Sequence, residues 1–189
     1  MTSTSQRIDI GHLIKQENKD VSHFTRKPLW SGSASEFLDN GRETPATIIQ
    51  QQLDASETFA FRAIGGKELQ ATVVSDGIGG EGYQGTNNTD STLFAMDLKG
   101  APLAMMDGRT YGGQDDRDKG GFIIVVRRND ILPHTDNSDT TGFLNVVTKI
   151  PLEKLYAIFR IDRKPPTYAT PDDTSFTYDI SKIVPKPKA

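Results

Sequence analysis

Gly121-Phe-Ile-Ile-Val-Val-Arg127, Phe143-Leu-Asn-Val-Val-Thr148 and Leu155-Tyr-Ala-Ile-Phe-Arg-Ile161 are the runs whose reading decides the fold. Each is short, apolar and rich in β-branched or aromatic residues, the composition of a buried strand rather than a helix. The first is closed by Arg127-Arg128-Asn129-Asp130, and a polar stretch from His134 to Thr141 reads as the loop before the second. Ile150-Pro151-Leu-Glu-Lys154 turns the chain into the third. That last connection is short, so the second and third strands are expected to lie close together.

The rest of the chain is expected to cover these strands or decorate their ends. Residues 8–24 place Ile10, Leu13, Ile14, Val21 and Phe24 on one helical face, which reads as a packing helix. Its His12 and His23 read as surface or partly buried histidines. Lys27-Pro-Leu-Trp-Ser31 reads as a short strand, followed by a helical turn through Phe37 and Leu38 that ends at Asn40-Gly41. A second helix spans Ala46 to Asp54, opened by Thr44 or Pro45. Phe59, Phe61 and Ala63 alternate, Gly65-Gly66-Lys67 turns, and Leu69, Ala71 and Val73 alternate back, which predicts a hairpin. Ser75 to Asn88 is glycine-rich and reads as a flexible active-site or surface loop, without the Lys-Ser/Thr ending of a phosphate cradle. Residues 92–98 and 102–106 are apolar segments of open type, and 112–121 reads as a charged loop tip. The tail beyond residue 163 is expected to run extended over the surface and fray.

One domain of 189 residues is long enough to bury a substantial core. A net charge of -3 argues against nucleic acid held by phosphate contacts. No apolar run approaches bilayer length, so no membrane partner is expected. The first residues lack the apolar stretch of a secretory signal, so a cytoplasmic location, or export by another route, is expected. The absence of cysteine excludes disulfides, thiolate nucleophiles and cysteine-ligated zinc. With 17 glycines and 10 prolines, strand and loop should outweigh helix in an α+β fold. His134, Asp136 and Asp139 lack the spacing of a calcium loop, so no metal is expected. No Gly-x-Ser-x-Gly elbow supports a hydrolytic triad.

Three segments, in order, resemble the cholera/pertussis-like ADP-ribosyltransferase toxins. They are Lys27-Pro-Leu-Trp-Ser-Gly-Ser-Ala-Ser-Glu-Phe-Leu-Asp-Asn-Gly41, Gly82-Tyr-Gln-Gly-Thr-Asn87, and the stretch from Thr141-Gly-Phe-Leu to Tyr-Ala-Ile-Phe-Arg160 with its Ile-Pro turn. The resemblance implies a split-sheet core over 27–163, with 1–26 an N-terminal helix and 164–189 a tail. It also implies a groove for NAD between segments 29–32, 83–87 and 139–143. In that groove Arg26, Trp30, Ser31, Tyr83, Thr86 and Phe143 would hold the cofactor.

The departures fall on the chemistry. Ser31 stands where the family has its phosphate-gripping Arg, a role suited to a planar fork of donors. Gly85-Thr86-Asn87 replaces the bracing Ser-Thr-Ser, and Phe143 occupies the place of the carboxylate. A phenyl ring cannot stabilise the positive charge that builds on the ribose as its bond to nicotinamide breaks. The expectation is therefore a toxin- or effector-type pseudoenzyme that acts by binding, with a protein target. An active transferase or NAD glycohydrolase would need displaced groups: Arg26 for phosphate, and Asp139, Glu36, Glu57, Glu81 or Asp136 as the acid. Outside that family, a non-enzymatic β-rich module could bind protein or carbohydrate through its glycine-rich loops.

Overall fold

The computed structural model describes residues 25–33, 45–83, 92–98, 121–140, 142–164 and 177–184. The three decisive runs are strands β5 (Gly121–Arg127), β7 (Phe143–Val146) and β9 (Leu155–Lys164). They belong to one eight-stranded sheet with β1 (Thr25–Ser33), β2 (Phe59–Ile64), β4 (Thr92–Ala95), β6 (Thr135–Thr140) and β10 (Thr177–Val184). Its order is β1-β10-β9-β5-β2-β4-β7-β6, and every neighbouring pair is antiparallel. A separate two-stranded ladder joins β3 (Gly77–Ile78) to β8 (Ile150–Pro151). The helices are short: α1 (Pro45–Gln50), α2 (Gly66–Val74) and α3 (Arg128–Ile131). The strand-rich α+β class read from the sequence is what the chain adopts.

Both faces of the central strands are buried, which explains why β2 and β5 read as continuous apolar runs. One face carries Phe59, Phe61, Ala63, Ile123, Val125, Ala157 and Phe159, packed against Ile48, Ile49 and Leu53 of α1 and the turn after it. The other carries Ala60, Ile64, Ile124, Val126 and Ile158 beneath Leu69 of α2, with Ile78, Tyr83, Ile150 and Leu152.

Several expectations are corrected. The hairpin return over 69–73 is helix α2, because Glu68, Leu69 and Thr72 are buried together at helical spacing while Val74 is 79% exposed. Lys67-Glu-Leu-Gln-Ala71 is a run of strong helix formers, and both flanks of β2 are already taken by β4 and β5. The polar stretch from His134 is not wholly a loop: residues 135–140 form edge strand β6, after a 3-10 turn at Leu132–His134. The C-terminal stretch does not merely wrap the surface. Strand β10 inserts between β1 and β9 and buries Tyr178, Ile180 and Ile183, so the sheet extends beyond the 27–163 core.

Strands β7 and β9 are not close neighbours either, since β4, β2 and β5 lie between them. Four antiparallel steps leave the two running the same way. Residues 147–154 must therefore carry the chain over a face of the sheet, across roughly 19 Å of strand spacings. Eight extended residues reach roughly 28 Å, and Ile150 and Leu152 are buried against the face being crossed. This crossing segment forms one wall of the site described below. The expected helix over 8–24, the turn at Phe37 and Leu38, and the segments at 102–106 and 112–120 lie outside the described residues.

Candidate functional site

Residues Asp76-Gly-Ile-Gly-Gly-Glu-Gly-Tyr83 leave α2 and fold back against the crossing segment. Gly77 pairs with Pro151 so closely that a Cβ there would lie 2.4 Å from the carbonyl oxygen of Ile150. Gly79, Gly80 and Gly82 have φ of 76°, 86° and 76°, and Asp76 holds a φ of 53°. A Cβ on Gly80 would come within 2.8 Å of the Lys149 amide nitrogen. Glycine is required here both for the left-handed backbone and for the approach of two chain segments. The opposite wall is held by the His134 carbonyl, which accepts from the amides of Val147 and Thr148 at 2.8 and 3.2 Å.

Between these walls lies an open cleft of about 370 Å³, lined by Gly79 to Tyr83, Val147 to Lys149 and Ser75. Glu81, Thr148 and Lys149 are exposed at its rim, with Val147 at 45%. The Lys149 Nζ donates to the Ser75 carbonyl at 3.2 Å, and His134 Nδ1 shares a 3.1 Å hydrogen bond with the Thr148 hydroxyl.

Tyr83 closes the cleft from below and is 7% exposed. Its hydroxyl donates to Glu68 Oε1 at 3.2 Å and lies 2.8 Å from the Thr72 hydroxyl. Glu68 in turn accepts from Arg62 Nε at 2.7 Å, and the Arg62 Nη1 donates to the Leu93 carbonyl at 2.7 Å. Thr72 donates to the Glu68 carbonyl at 2.8 Å. Arg62 and Glu68 are 6% and 7% exposed, so this is a buried ion pair with its remaining lone pairs and protons largely spoken for. Burial pushes the Glu68 carboxyl above the usual glutamate range, and the Arg62 charge only partly offsets that. The Tyr83 hydroxyl is likewise pushed up, first by burial and then by the neighbouring carboxylate.

No family model, curated protein or solved structure matches this chain.

The residues drawn from the resemblance are not brought to one place. Trp30 and Ser31 lie on β1, at one end of the sheet, and Phe143 on β7, six strand spacings away or roughly 29 Å along the sheet. Trp30 packs against the α1-covered face, whereas Tyr83 belongs to the core on the opposite face. The Ser31 hydroxyl donates to Asp179 at 2.5 Å, and Arg26 pairs with Asp162 at 3.3 Å. Phe143 is 40% exposed beside Ala95 of β4. Asp139 sits opposite Leu144 in the β6–β7 ladder, and Thr86 lies outside the described residues, as do Glu36 and Thr141.

Among the other acids considered, Glu57 is held by Arg127, whose guanidinium lies 4.5 Å from the centroid of the Tyr156 ring. Asp136 accepts from Asn145 Nδ2 at 2.7 Å. Among the described residues considered, Tyr83 and Glu81 alone line the cleft. The Arg62–Glu68 pair is hidden in the sequence because residues 59–73 read as two strands of a hairpin. A buried pair at a spacing of six residues has no local signature until residues 66–74 are known to be helical.

Proposed function

We propose that this chain is a non-enzymatic binding module that takes a polar segment of a protein partner in the cleft between residues 79–83 and 147–149. The observation that carries this reading is the cost put into one surface loop. Asp76 accepts a backbone conformation unfavourable for a residue with a Cβ, by about 1 kcal/mol. A buried charge pair then anchors the last residue of the loop at Tyr83. Strain and buried polar groups gathered under an exposed loop point to positioning for contact.

The rim chemistry favours protein over sugar. Glu81 and Lys149 supply one charge of each sign at the rim, which a polar peptide segment can meet with charged side chains of its own. A sugar site wants an aromatic face, but Tyr83 is nearly covered and its hydroxyl is engaged. The test is selection of random peptides displayed on phage against the wild-type chain, with Val147→Arg as the counter-target. Val147 is exposed in the cleft wall, so arginine fills the site without disturbing the core. Clones that bind both proteins equally well would sink the reading.

The second reading, a degenerate ADP-ribosyltransferase scaffold that binds NAD, is favoured by the segment from Phe143 to Arg160. There a strand, the Ile150-Pro151 pair and a second strand follow in the sequence order the resemblance implies. Calorimetric titration of NAD into wild type and Ser31→Arg tests it. Tighter binding with arginine would support a phosphate-gripping position on β1, and no heat in either protein would remove NAD from consideration.

A further inference from the structure

We infer that the Arg62–Glu68–Tyr83 chain couples acidity to the shape of the cleft, so that neutralising Glu68 loosens the glycine loop. The coupling stands on contacts alone; its consequence for a ligand rests on the binding function proposed above.

Tyr83 belongs to both structures. It is the floor of the cleft, and its hydroxyl bonds the carboxylate that holds Arg62. Among the described residues, the charged or titratable groups facing Glu68 are Arg62 from β2 and Tyr83 from the loop. Strand β5 turns Phe122, Ile124 and Val126 to this side, and β3 supplies only Gly77 and Ile78. When the carboxylate gains a proton, Arg62 stays charged, buried and short of its anion. A buried guanidinium without its full counter-charge is costly, so the groups around it must rearrange or admit water. Arg62 Nε and the Tyr83 hydroxyl meet on the same oxygen, Glu68 Oε1, so a carboxyl that lets go of Arg62 also shifts the Tyr83 ring and the loop attached to it. Burial already raises the protonation range of Glu68, which puts the transition above that of an ordinary glutamate.

The coupling predicts a response without any ligand. In amide spectra of the full chain from pH 8 to pH 4, the Gly79, Gly80 and Gly82 signals and the Tyr83 ring should move in one shared titration. Glu68→Gln at pH 7 should hold them near their acid positions and remove the titration, and Glu81→Gln should leave it intact. Loop signals that do not titrate, or that titrate unchanged in Glu68→Gln, would overturn the inference. If Glu68→Gln does not fold, Tyr83→Phe replaces it. That variant cuts the link while keeping the carboxylate, so the Arg62 Nε signal should still titrate and the loop amides should not. Loop amides that still titrate in Tyr83→Phe would refute the coupling.

Peptides selected at neutral pH should lose about fivefold in affinity at the acid end, the scale of one lost hydrogen bond. A loop that titrates while no peptide can be selected confirms the coupling and defeats the binding function alone.

Discussion

Replacing Arg62 by methionine probes the arrangement most directly, because it removes one charge of a buried pair and keeps most of the side-chain volume. Two costs follow. The Leu93 carbonyl loses a donor at 2.7 Å, worth about 1–3 kcal/mol if it stays unsatisfied. Glu68 loses its counter-ion and can escape by taking up a proton. Protonating a carboxyl of ordinary pKa 4.5 at pH 7 costs at most about 3.4 kcal/mol, at 1.36 kcal/mol per pH unit, which caps the charge penalty. At pH 5 the same escape costs only about 0.7 kcal/mol.

The sign follows from linkage. A carboxyl whose folded-state pKa is raised contributes stability that is present at low pH and lost as pH rises through that pKa. Arg62→Met should therefore be destabilised by about 4–6 kcal/mol at pH 7, and by up to about 2.7 kcal/mol less at pH 5. Urea denaturation of parent and variant at both pH values measures this. The double variant Arg62→Met/Glu68→Leu removes the charge question altogether, and it should recover much of the loss and become insensitive to pH. An Arg62→Met penalty equal at both pH values, or a double variant no more stable than the single one, would refute the account of Glu68 as a strained, buried carboxylate.

Two further outcomes test the scaffold. Gly77→Ala puts a methyl group 2.4 Å from the Ile150 carbonyl oxygen, so it should cost about 1–3 kcal/mol in urea denaturation and should also displace the loop amides. Lys27 lies directly opposite Lys182 in the β1–β10 ladder, and burial followed by the Lys27 charge lowers the Lys182 pKa. Lys27→Glu should raise stability at neutral pH by roughly 0.5 kcal/mol. In the parent, the repulsion should fade as alkaline pH neutralises Lys182, and a variant that is no more stable at neutral pH would discount the pair.

The chain announces its strands more clearly than their arrangement. Runs such as residues 121–127 are legible because burial on both faces demands unbroken apolar side chains, whatever strand lies alongside. The helix over 66–74 is open to two readings, because Leu69, Ala71 and Val73 fit a period of two while Lys67 to Ala71 have strong helix propensity; the occupied flanks of β2 decide between them. The glycine loop was visible as composition, and its service as a cleft wall was not. Gly77 and Gly80 meet residues 149–151, about seventy positions away, and sequence spacing carries no record of such contacts.

By itself, then, the sequence determined an α+β, strand-rich chain with a glycine-rich segment of special backbone, since those properties follow from local sterics and from which side chains avoid water. Strand order, the crossing from β7 to β9, the separation of Trp30 from Phe143 and the pairing of Arg62 with Glu68 were decided only by tertiary structure. Each depends on which distant segments meet, and that is settled by the packing of the whole core rather than by any stretch within it.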